Sequence, residues 1–223
     1  MTPSTRPTSR RTRRHARRAG RGFTLLETAL TLVILGVGVL AMVEAQSAFI
    51  QSNLWSSHAA TGTFLAQEIR EFTRSFPRHD PVRKLNADMG YAFGLEPGEE
   101  TAADIDDLDD LDGMRFGHEG NMDGPINALA EIIPEINLDG SVSTDDDGNP
   151  EPMHGWAQAV IVEKVEPFDT GTTRDDAYWR ETESGGLPPL GMNDFPLRVT
   201  VVVTFTPDNG AELEMARVSW IVP

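Results

Sequence analysis

Residues 22–27 read Gly-Phe-Thr-Leu-Leu-Glu, and residues 28–43 continue as Thr-Ala-Leu-Thr-Leu-Val-Ile-Leu-Gly-Val-Gly-Val-Leu-Ala-Met-Val. The second stretch carries no charge. The 21 residues ahead of the hexad hold eight arginines (Arg6, Arg10, Arg11, Arg13, Arg14, Arg17, Arg18 and Arg21) and no acid. The hexad therefore joins a basic leader to an apolar run, and its single charge is Glu27. A carboxylate costs roughly 2.5–3.5 kcal/mol at the centre of a membrane helix, so an acid in such a run is read as functional, with a partner.

After Val43 the pattern becomes amphipathic. Ile50, Leu54, Leu65, Ile69, Phe72 and Phe76 recur at three- and four-residue steps, widened by Phe49, Trp55 and Phe64. Several alanines favour helix, Gly62 is a weak point, and Pro77 stops the pattern. Residues 24–76 are thus expected to form one long helix, apolar all round in its first half and one-sided in its second. Residues 78–155 read as loops, with Asn127–Ile136 a short helix or strand. Alternation then predicts strands over 159–165, 197–205 and 212–222, with a long polar loop over 167–194. The last two strands flank Pro207-Asp-Asn-Gly210, so they form an antiparallel hairpin. The expected fold class is α+β: a long N-terminal helix packed on a C-terminal antiparallel sheet. The expected segments are 1–22, a basic leader; 23–50, an apolar membrane or assembly helix; 51–77, its amphipathic continuation; 78–155, acidic loops; and 156–223, the sheet.

The hexad resembles the type IV prepilin signal: a leader ending in Gly, a large apolar residue next, and Glu at the fifth position after cleavage. The stretch over residues 31–42 is similar to minor pilin V and to the minor pseudopilin I of type II secretion. The resemblance implies cleavage between Gly22 and Phe23 by a prepilin peptidase, N-methylation of Phe23, and an assembly role for Glu27 against a neighbouring subunit's N-terminus. It implies a pilin-like fold. It also implies a structural subunit of a type IV pilus or a type II secretion pseudopilus. The implied partners are the peptidase, other pilins or pseudopilins, an inner-membrane assembly platform and membrane lipid.

Charge supports that topology. The chain carries 19 basic and 35 acidic residues, a formal charge of −16; less the eight arginines of the leader, the 201 residues from Phe23 onward carry 11 against 35, or −24. Lys and Arg stay on the cytoplasmic side of a span, which places the N-terminus in the cytoplasm and the acidic remainder outside it. Such a surface repels nucleic acid. A conventional secretory signal would place cleavage near Val43-Glu-Ala45, but an early Glu27 gives its apolar core nothing. An uncleaved anchor carrying an extracytoplasmic binding module that forms no filament is the other alternative. With no cysteine, there is no disulfide framework and no thiol nucleophile.

The candidate cofactor is calcium, on Asp104, Asp106, Asp107, Asp109, Asp110 and Asp112. Calcium takes six to eight oxygen ligands, which closely spaced carboxylates supply. The EF-hand spacing fails: Gly113 at the sixth position places Leu108 first, and Gly148 there places Ser143 first. A solvated loop is the plainer reading, and the Ile105, Leu108, Leu111 spacing would dock a single helical turn on the body. His15, His58, His79, His118 and His154 are scattered and match no catalytic motif, so no enzymatic activity is expected.

Overall fold

The computed structural model describes residues 24–82, 84–85, 93–183 and 186–223. The chain is α+β: α1 (Leu25–Phe72), then β1 (Arg115–Gly117), β2 (Trp156–Glu166), β3 (Asp169–Arg174), β4 (Leu197–Phe205) and β5 (Leu213–Val222). It divides into two units, Met1–Gln51 and Ser52–Pro223.

In the first unit every described residue is exposed. Thr24 caps α1, its Oγ1 accepting from the Glu27 N–H at 3.2 Å. Thr24 and Glu27 thus occupy the first and last positions of a Thr-x-x-Glu capping box. Thr28 and Thr31 turn their hydroxyls back onto the carbonyls of Leu25 (2.9 Å) and Glu27 (2.7 Å). Their polar groups are thereby satisfied within the helix, as a lipid environment requires. This part of α1 is long and apolar enough to cross a membrane.

In the second unit the buried stripe of α1 is Gly62, Leu65, Ala66 and Ile69, at steps of i, i+3, i+4 and i+7. Thr73, in the 3₁₀ turn Thr73–Ser75 that ends the helix before Pro77, continues it. The stripe is narrower than the periodicity suggests. Leu54, Trp55 and Phe64 remain more than half exposed. Gly62 has a positive role: a Cβ there would lie 2.8 Å from Met215 Cβ and 3.3 Å from Ala216 Cβ, so only glycine lets α1 come this close to β5.

The sheet order is β1-β2-β4-β5, with β3 also on β2, and every pairing is antiparallel. The register sets Val160 opposite Val201 and Val162 opposite Val199. Leu197, Val199, Val201 and Val203 of β4 join Leu65, Ala66 and Ile69 in one core, with Ile105, Leu108, Leu111, Phe116 and Ile126 closing it. The register sets Gln158 opposite Val203, in a buried site. Its amide donates to the Leu65 carbonyl (2.9 Å) and the Ile126 carbonyl (3.0 Å), and its oxygen accepts from the Ile126 N–H (2.8 Å). One fully satisfied amide therefore ties helix, sheet and loop together.

The expected strands match β2, β4 and β5 to within a few residues, and the Pro207–Gly210 turn closes with Gly210 N donating to Pro207 O at 3.0 Å. Two expectations differ. The 167–194 loop contains β3 and an Arg180–Leu190 bridge. Both are held by the buried Glu166 carboxylate, which accepts from Arg174 (2.9 Å) and Arg180 (3.1 Å), a non-local pairing with no periodic signature. Residues 127–136 are neither helix nor strand but bridged turns, in which local bonds such as Asn127 N to Glu131 O alternate with longer ones such as Glu135 N to Glu151 O, a pattern without helical or strand period.

Replacing Gly62 by leucine tests the close approach. Overpacking costs typically about 1–3 kcal/mol, more than the roughly 1 kcal/mol that leaving glycine gains in a helix. Thermal unfolding followed through Trp156 and Trp220 should show a lower melting temperature for Gly62→Leu. Gly36→Ala, where an added Cβ meets nothing within 4 Å, should not lower it.

Candidate functional site

Gly22 and Phe23 lie outside the described residues. Glu27 is exposed in the first turn of α1. The acidic loop is the site whose geometry is on view, and its backbone sorts the six aspartates into different tasks.

Asp104 is exposed and closes its own turn, accepting from Thr101 Oγ1 (2.7 Å), Thr101 N (2.9 Å) and Glu100 N (3.2 Å). Asp107 is buried and accepts from the N–H groups of Asp109 (2.9 Å) and Asp110 (3.3 Å), fixing the 3₁₀ turn Asp109–Leu111. Asp109 is buried against His79, with Nδ1 2.9 Å from its Oδ1. Asp112 accepts from Val162 N at 2.9 Å and so pins the loop to β2. Ile105, Leu108 and Leu111 are all buried in the core, so the apolar third of the segment docks it as their spacing suggested.

The remaining two, Asp106 and Asp110, meet two residues that the sequence reading passed over. Ligand oxygens of Glu96, Glu99, Asp106 and Asp110 all lie within 4.8 Å of one another. The available signal was the segment Glu96-Pro97-Gly98-Glu99. Pro-Gly at the centre of a turn, with Gly98 at φ +111°, brings the first and fourth residues together. Glu96 N donates to Glu99 Oε2 at 2.7 Å, and Glu99 N to Glu96 O at 3.2 Å. Asp110 in turn accepts from Asp106 N and Asp107 N, each at 3.3 Å.

Four converging carboxylates suit a hard divalent cation. Ligand oxygens on opposite sides of a calcium ion are at most about 5 Å apart, twice the bond length, so these four fit around one ion. Water would supply the remaining positions. Without a cation the group is electrostatically unfavourable. Burial, then a hydrogen bond with Asp109, pushes the Asp107 carboxyl up to about 8. Burial, then the charges of Asp107 and Glu99, pushes Asp110 up to about 7. Glu96 is also raised, by desolvation and then by Glu99. Near neutrality Glu96 and Asp110, the raised groups within the cluster, hold protons that a cation would displace. His79 moves the other way. Its burial lowers it to about 4, leaving a neutral ring against Asp109, which burial pushes up to about 6. His79 Nε2 is buried with no hydrogen-bond partner.

No known protein family, curated protein or solved structure matches the chain.

The pH response follows from these shifts. Asp107 and Asp110 bind protons more tightly folded than unfolded. Their contribution to stability is present below the ordinary carboxylate pKa near 4 and is lost as pH rises through about 7–8. His79 acts oppositely, its contribution being lost as pH falls from 6.5 towards 4. Above pH 6.5 the acids therefore act without it. The metal-free protein should melt at a lower temperature at pH 7.5 than at pH 6.5, and millimolar calcium, which replaces the proton of Asp110 but not that of Asp107, should narrow that difference. A ligand that binds only the folded state stabilises by RT ln(1 + [L]/Kd). Glu99→Gln with Asp106→Asn should abolish the calcium response. A melting temperature that calcium leaves unmoved at pH 7.5 would make the cluster a solvated loop.

Proposed function

We propose that this chain is a minor pilin or pseudopilin, a structural subunit of a type IV pilus or a type II secretion pseudopilus. The observation that carries the reading is the hexad at residues 22–27, set between an acid-free arginine leader and an uncharged helical run. Prepilin peptidase cuts after Gly22, and the new N-terminus at Phe23 is methylated and cationic. The protein resides in the inner membrane with its N-terminus cytoplasmic and its sheet unit outside, then enters a filament through contact with an assembly platform and other pilins.

Physical chemistry gives Glu27 its task in this reading. A cationic amine and a carboxylate in apolar surroundings are strongly penalised when either stands alone. Pairing Glu27 with the Phe23 amine of a neighbouring subunit relieves both charges and sets axial register. The apolar side chains of Leu54, Trp55 and Phe64, exposed in the isolated chain, are surface that neighbouring helices would cover. Calcium at Glu96, Glu99, Asp106 and Asp110 would order the loop after the helix and replace the protons held there.

Intact-mass analysis of the membrane-extracted protein should show a chain that starts at Phe23 with one added methyl group. Retention of the leader, or a start at Ala45 or later, would overturn the assignment. A pair of substitutions then separates register from capping. Glu27→Gln keeps a capping-box side chain without its charge, whereas Glu27→Leu removes both. Both should insert in the membrane and enter sheared filaments poorly, measured against wild type at matched membrane levels. Poor entry of the leucine variant alone would assign Glu27 to the helix cap. Normal entry of both, or no filament at all, would favour the membrane-anchored module.

A further inference from the structure

Residues 125–154 form a small platform built three times on one plan. Asn127, Asn137 and Asp145 each begin a turn in which the residue's N–H donates to the carbonyl four residues on, to Glu131 (2.9 Å), Ser141 (2.8 Å) and Asn149 (2.9 Å). In each turn the carbonyl of the first residue accepts from the fourth, Ala130 (3.1 Å), Gly140 (2.9 Å) and Gly148 (3.0 Å). These fourth residues have φ of +61°, +85° and +86°. A bridge closes each turn: Ile126 with Ile132, Ile136 with Val142, and Thr144 with Pro150. The connecting segments bond in a ring, Glu135 N to Glu151 O (2.8 Å), Ser143 N to Glu135 O (2.9 Å) and Glu151 N to Ser143 O (3.0 Å). Ile126 is buried in the core, and Glu68 of α1 accepts from Ala128 N at 2.8 Å.

This bonded platform presents apolar side chains to solvent. Ile136 and Val142, a bridged pair, are 55% and 43% exposed, and Leu138 at the tip between them is fully exposed. Single exposed apolar residues are ordinary, but a group of them on a bonded hairpin marks a contact surface. Its flanks along the chain are of one sign. Between Arg115 and Lys164 there is no Lys or Arg, while residues 119–151 carry nine acids, Asp139 and the Asp145–Asp147 run among them.

We propose that the Ile136–Val142 hairpin is a docking surface for a different protein whose contacting face has an apolar centre ringed by Lys and Arg. Charge complementarity selects that partner, since like charges across an interface are strongly disfavoured. The same rule disfavours nucleic acid and anionic lipid. A second copy is a poor match. Arg115, Arg174, Arg180, Arg198 and Arg217 are each paired with an acid of their own chain. Among the described residues, a basic groove of about 410 Å³ lined by Arg70, Arg74, Phe76 and Trp220 also holds Glu71, which pairs with Arg74 at 3.1 Å, and one of about 400 Å³ lined by Arg78 and Lys84 also holds Asp80 and Asp194. The inference stands on the hairpin alone and holds for a filament subunit or an anchored module alike.

The test places a photo-crosslinking benzoylphenylalanine at Leu138 of the full-length chain in its native membrane, with Phe168, also exposed, as the control position. The expected result is a discrete adduct to another protein from Leu138 and not from Phe168, mapped by mass spectrometry to an apolar segment flanked by basic residues. Asp146→Lys with Asp147→Lys changes side chains in a turn capped by Asp145, which accepts from the N–H groups of Asp147 and Asn149, so an unchanged melting temperature can be checked. This charge reversal should lower the adduct yield about tenfold, the equivalent of about 1.4 kcal/mol lost over two exposed charge contacts. Absence of an adduct, an adduct between two copies, a target without basic residues, or a yield that charge reversal leaves unchanged would each overturn the proposal.

Discussion

The second unit depends on how closely α1 approaches the sheet at Gly62. A helix presents its stripe to a sheet at a separation set by the side chains between them. Here the contact is made by a glycine facing Met215 and Ala216, followed by Leu65, Ala66 and Ile69 against the valines of β4. A short, small-residue contact brings the helix backbone within reach of Gln158. That side chain can then bond the Leu65 carbonyl and both backbone groups of Ile126 at once. A larger residue at 62 would lift the helix and leave a buried amide short of partners, a penalty of about 1–3 kcal/mol. Packing and hydrogen bonding are therefore coupled through one missing Cβ.

The acidic loop obeys a related logic. Its apolar residues dock it, and its aspartates must then find donors or each other. Asp104, Asp107 and Asp112 find backbone N–H groups and Asp109 finds His79, so those four carboxylates serve as local structure. Asp106 and Asp110 face Glu96 and Glu99, with carboxylates inside 5 Å of one another even though Asp110 also accepts from two backbone N–H groups, and this arrangement makes a cation the natural complement. The same segment is thus a core element, a set of turn caps and a candidate metal centre. Its division follows backbone geometry, whereas the composition is nearly uniform.

Several parts of this protein were legible in order alone. The uncharged run and the continuing three- and four-residue period specify one helix over Leu25–Phe72, because a helix needs only its own neighbours to satisfy its backbone. The β-branched run at 197–205 and the Pro-Asp-Asn-Gly turn specify β4 and the return of β5, because alternation and turn chemistry are local. The hexad at 22–27 is equally local, and it carries the functional proposal by resemblance.

What tertiary structure alone decided is everything that depends on residues far apart in the chain. Gly62 reads as a flaw in a helix until Met215 lies against it. Glu96 and Glu99 stand out from no other acids of the chain until Asp106 and Asp110 face them. Glu166, Arg174 and Arg180 read as scattered charges until their pairing builds β3 and the bridge beyond it. The three turns of 127–149 share a pattern of Asn or Asp followed by Gly or Ala at a positive φ, but only the ring of bonds at Glu135, Ser143 and Glu151 makes them one platform. Periodicity reports which face of an element is apolar. It carries no information on how near that face comes to another, or on which carboxylates share a space, because those distances are set by the packing of the whole unit.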